Sequence, residues 1–203
     1  MQYLTDVSAH RTSTGLNNRK LLMWAFLGSD VLFFGTLIAT HLVYRTRGIG
    51  PHEEIFDIPI TSVSTFVLLM SSLAMVLALA GIQQGKMGNA RFWLAATAFL
   101  GMIFIGFQMF EFTEFAHEGL TPRSNLFGST FLVMTGFHGT HVTIGVIFLL
   151  IVARKVWKGH LEDMKPGFFT SRRGGYEVVE IMGLYWHFVD LVWVFIFAFF
   201  YLW

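Results

Sequence analysis

The stretch TGFHGTHVTIGV, residues 135–146, places His138 and His141 three positions apart in a run with no charged residue from Leu126 to Ala153. On a helix this spacing puts both rings on one face, as two ligands of a single metal ion or a haem pair would require. A transmembrane di-haem site needs more: two histidines on each of two helices, separated by about half the membrane thickness, or roughly 13 residues at the helical rise. Three residues do not cover that distance, and no other apolar stretch offers a matching pair. His41 falls near a helix end, and His10, His52, His117 and His160 lie outside or at the edge of the apolar stretches. The ten Met residues read as core filler rather than as ligands. The expectation is two packed histidines hydrogen-bonded between helices and holding no metal. Gly136, Gly139 and Gly145 allow helices to approach closely while His and Thr bridge the contact.

Other ionisable groups in apolar surroundings are few, and each is costly there unless it is paired, neutral or used. Asp30 stands nine residues into the first apolar stretch, roughly 14 Å along a helix and so near the midplane. Its own span contains no basic residue, which makes an uncharged carboxyl, hydrogen-bonded to a neighbouring helix, the expected form. His187 and Asp190 share a face at i, i+3, with Glu180 two turns before His187. The His–Asp pair is either a proton relay or a polar clamp that neutralises itself. No continuous polar chain crosses the span, so the clamp is expected. Glu111 and Glu114 fall near the outer end of the third apolar stretch.

The elements that carry these residues follow from composition. The chain has 203 residues, 54% hydrophobic and 13% charged, with 23 Phe and a mean hydropathy of +0.59, which marks a membrane protein. With no cysteine, disulfides, iron–sulfur clusters, thiolate haem ligation and cysteine nucleophiles are excluded, and a net charge of +1 gives no reason to expect nucleic acid. Five stretches, 21–44, 60–83, 92–115, 126–153 and 178–203, are long enough for a hydrocarbon core of about 30 Å. The first is too long for a signal-peptide core and has no small-residue cleavage site. Breakers at Gly48–Pro51, Gln84–Gly88, Gly119–Pro122, Lys165–Gly167 and Arg172–Gly175 read as loops. Residues 1–203 are therefore expected to form one membrane domain, an all-α integral bundle of five transmembrane helices. Lys and Arg number three before the first span, two in the second loop and six in the fourth. They number only two in the first loop and one in the third. This asymmetry predicts a cytoplasmic N-terminus and an outside C-terminus. Five spans without an internal repeat do not match the paired halves of a secondary transporter.

The runs LGSDVLFFG (27–35), TFVLLMSSLAM (65–75), FLGMIFIGFQMFEF (99–112), FGSTFLVMTGFHGTHVTIG (127–145) and YEVVEIMGLYWHFVDLVWVFIFAFFYLW (176–203) resemble, in that order, subunit III of the haem–copper terminal oxidases. The strings G-F-H-G-x-H-V and Y-W-H-F-V-D-x-V-W are specific to that family. The resemblance implies a noncatalytic subunit of a proton-pumping respiratory oxidase in the bacterial cytoplasmic membrane. It would pack directly on subunit I, with subunit II and a small subunit IV as further neighbours. It would also hold phospholipid between two helix groups and support proton uptake and turnover stability. No catalytic, cofactor or metal site is implied in this chain, since haems and copper belong to partner subunits. The polar residues Asp30, Glu111, His138, His141, Glu180, His187 and Asp190 would be structural. Many subunits III of cytochrome c oxidases have seven spans, whereas this chain resembles the last five, as do short bacterial forms including those of quinol oxidases. The family's carbodiimide-reactive glutamate falls on Asp30, one methylene shorter. The strings VVEIMGLYWHFVD and GFQMFEF resemble the cytochrome c branch, and the length and Ser29-Asp30 are also similar to the quinol branch. Cytochrome c is the expected donor and quinol the alternative. A stand-alone proton carrier would move protons in vesicles without other subunits, and a haem-binding electron carrier would show a Soret band in the isolated chain. Neither result is expected.

Overall fold

The computed structural model describes residues 18–45, 57–123, 126–158 and 176–202. The expected loops at Gly48–Pro51, Lys165–Gly167 and Arg172–Gly175 lie outside the described residues. So do His10, His52, His160 and several basic residues behind the expected orientation. The described residues form helices and turns with no strand. They give α1 (Asn18–Arg45), α2 (Ile58–Gln83), α3 (Met87–His117), α4 (Leu126–Trp157) and α5 (Tyr176–Phe197). A π-helical turn, Ala198–Leu202, continues α5. All five helices are long and apolar enough to cross a membrane.

Helix ends follow local chemistry. The Asp57 side chain accepts from Ile60 N at 3.2 Å and caps α2, with a proline in the first turn where no amide hydrogen is needed. At the other end Gly85 takes φ 72°, a left-handed conformation open to glycine, and Lys86 N returns to Gly81 O at 2.8 Å. The resulting turn brings α3 back against α2 so closely that a Cβ on Gly81 would lie 3.1 Å from Ala90 N. Gly119 repeats the device after α3 with φ 81°, and Leu120 N bonds Phe115 O at 2.8 Å.

α2 packs chiefly on α3 and α5, α3 on α2 and α4, and α1 on α4 and α5. The order α1, α4, α3, α2 therefore forms an arc around α5. α5 carries the largest share of the core, with Trp186, Val189, Trp193 and Ile196 all buried. Trp186 fits only because its neighbours lack side chains. A Cβ on Gly101 of α3 would lie 2.7 Å from Trp186 Cη2, and one on Gly145 of α4 would lie 2.9 Å from its Cζ3. Outward faces carry exposed Leu, Phe, Val and Ile, as expected where the solvent is lipid rather than water.

Candidate functional site

The polar residues singled out in the sequence come together as separate pairs around α5, not as one cluster. His138 of α4 is fully buried and its Nε2 lies 3.1 Å from Val189 O. A carbonyl only accepts, so this nitrogen carries a proton and His138 is a donor tying α4 to α5. His141 turns elsewhere. Its Nδ1 donates to Phe137 O at 2.7 Å and its Nε2 faces Asp30 Oδ2 of α1 at 3.2 Å. The shared face expected from the i, i+3 spacing thus divides between two partners: one ring reaches α5 and the other reaches α1. Among the described residues no three His, Cys, Asp or Glu side chains group as a metal site.

His141 Nδ1–H is committed to Phe137 O, which leaves Nε2 turned toward the Asp30 carboxyl. This pairing gives the carboxyl a polar neighbour at a depth where residues 21–44 of α1 carry no Lys or Arg. Tyr185 of α5 donates to His141 O at 2.9 Å and joins α5 to the same point.

Ser72 of α2, a residue that the sequence did not flag, shares a 2.6 Å hydrogen bond through Oγ with His187 Nδ1 and lies beside the Asp190 carboxyl. Two further bonds run along the same seam, from Trp186 Nε1 to Ser71 Oγ at 3.0 Å and from Trp193 Nε1 to Thr65 Oγ1 at 2.9 Å. Glu180 is not part of the clamp. It pairs with Lys20 Nζ of α1 at 2.7 Å, with both side chains about a third exposed. Glu111 is buried and accepts from Thr61 Oγ1 of α2, whereas Glu114 remains on the exposed side of α3. Gln108 of α3 donates to Thr135 O at 3.0 Å. Neither it nor Ser72 stood out in the sequence, because a neutral residue with no charge or ligand spacing gives no signal there.

This arrangement joins helices through hydrogen bonds and polar pairs, and among the described residues it presents no nucleophile, base and oxyanion set for bond-breaking chemistry. Five apolar spans cross-linked in this way are those of a multi-pass membrane protein. Over residues 10–203 the chain matches the family described as cytochrome c oxidase subunit III. A relative from Staphylococcus aureus (strain USA300) named "Probable quinol oxidase subunit 3" is 34% identical over 202 residues, covering 98% of this chain and 94% of the relative. A relative of the same name from Staphylococcus saprophyticus subsp. saprophyticus is 34% identical over 186 residues, covering 90% and 87%. The chain belongs to the cytochrome c oxidase subunit III family and is a noncatalytic subunit of a haem–copper respiratory oxidase.

Proposed function

We propose that the oxidase served by this chain takes its electrons from a quinol. The observation that carries this reading is the likeness, over 98% of the chain, to a subunit 3 named for a quinol oxidase. The sequence alone favours cytochrome c as the donor, with quinol as the alternative. The strings VVEIMGLYWHFVD and GFQMFEF still favour cytochrome c as the second reading, but they are short beside a likeness that extends over the whole chain.

In this role the chain stabilises the catalytic subunit I by direct packing, contacts subunit II and a small subunit IV, binds phospholipid and supports proton uptake in a bacterial cytoplasmic membrane. Haems and copper reside in partner subunits. The N-terminus faces the cytoplasm and the C-terminus the outside. The bonded seam between α2 and α5 and the Asp30–His141 pair supply the rigidity such a support needs, because each ties helices that a lipid environment alone does not hold together. The test is oxygen uptake by the complex captured through a tag on this chain. Reduced quinol should drive it and reduced cytochrome c should not. Uptake driven by cytochrome c alone would reinstate the second reading.

A further inference from the structure

α5 has one uncovered stripe. Glu180, Leu184, His187 and Leu191 recur at three- or four-residue steps, so they share a face, and each is partly or fully exposed while the residues between them are mostly buried. α1 borders the stripe through Lys20–Glu180, and α2 borders it through Ser72–His187. The stripe is therefore the floor of a groove between the two ends of the arc. The groove is apolar: Leu191 of the floor is 53% exposed, and Leu69, Leu73 and Val76 of α2 are exposed on the side that carries Ser72.

In the middle of this apolar strip stands an imidazole. His187 Nδ1 is held by Ser72, but His187 Nε2 has no partner among the described residues and is not enclosed by them. His187 lies about midway along its membrane-crossing segment, Glu177–Leu202. Acyl chains at that depth offer no hydrogen bond, and lipid headgroups lie at the interfaces. A polar atom facing outward there is matched when a neighbouring helix brings a group to it.

We propose that a transmembrane helix of another subunit of the same oxidase docks along this groove and presents a hydroxyl or carboxamide side chain to His187 Nε2. Both groups donate and accept, so either imidazole tautomer is satisfied. The apolar residues above and below His187 then pack against that helix. The proposal rests on the chain's place as subunit III and extends it by assigning a face and a contact residue.

The test uses the intact oxidase with a photo-crosslinking benzophenone amino acid in place of Leu191. Irradiation should join this chain to a different oxidase subunit. His187→Leu should lower that yield roughly five- to tenfold, the loss of about one hydrogen bond. His187→Gln, whose amide reaches the Nε2 position, should restore most of it. Crosslinks to lipid only, to a second copy of this chain, or to nothing would overturn the docking, as would an unchanged yield in His187→Leu. Co-purifying haem separates the two levels. Haem with lipid-only crosslinks overturns the docking alone, whereas a tagged chain that captures no haem overturns the subunit III reading as well.

Discussion

Asp30 shows how a single acid is kept in hydrocarbon. His141 Nε2 stands 3.2 Å away on α4. Shape and one polar contact at this depth are the expected requirements. Asp30→Asn retains both, since its amide can donate to Nε2, and should leave assembly and proton pumping nearly unchanged. Asp30→Leu leaves the imidazole without its partner and should weaken retention of the chain in the complex by roughly 1–3 kcal/mol. Retention through a detergent series reads this difference. Normal assembly with sharply slowed proton uptake in Asp30→Asn would give Asp30 a titrating role instead. The Lys20–Glu180 pair is the contrasting case. Its side chains are 33% and 29% exposed, so water and headgroups screen it. Lys20→Ala should cost under about 1 kcal/mol in the same assay.

At the scale of helices, Trp186 is the wedge that sets how closely α3, α4 and α5 approach. Gly101→Val should force the indole against rigid neighbours and lower the thermal midpoint of the solubilised complex, at a cost of about 1–3 kcal/mol. Trp193→Phe keeps most of the volume but loses the bond to Thr65 Oγ1, and should cost about 1 kcal/mol. The spans themselves were legible, because a helix crossing lipid must be apolar over a fixed length and nothing else in the chain competes with that signal. Their ends were less so. α1 begins at Asn18 rather than 21, and α4 runs on through Arg154 and Lys155 to Trp157, because long basic side chains reach the interface while the helical backbone bonds continue beneath them. The histidines were visible as residues, but their partners were not. Asp30 meets His141 across more than a hundred positions, and Ser72 joins His187 and Asp190 although a lone serine in a helix carries no pattern. Spacing alone suggested one shared face for His138 and His141. The packing of α1 and α5 on different sides of α4 divides them.

At the scale of the whole molecule, the bundle is built around α5. The basic residues crowd the N-terminal segment and the second and fourth loops, so a protease added outside intact cells should leave the segment from Lys158 to Arg173 uncut. Cleavage there would reverse the proposed orientation. The most direct test of the account as a whole is to strip this chain from the purified oxidase with detergent and follow the optical spectrum and quinol-driven oxygen uptake of both fractions. The expected result is that all haem absorbance and the initial turnover stay with the remaining subunits, while activity then decays faster than in the intact complex. Haem absorbance in the released chain, or complete loss of initial turnover on its removal, would contradict a noncatalytic supporting role.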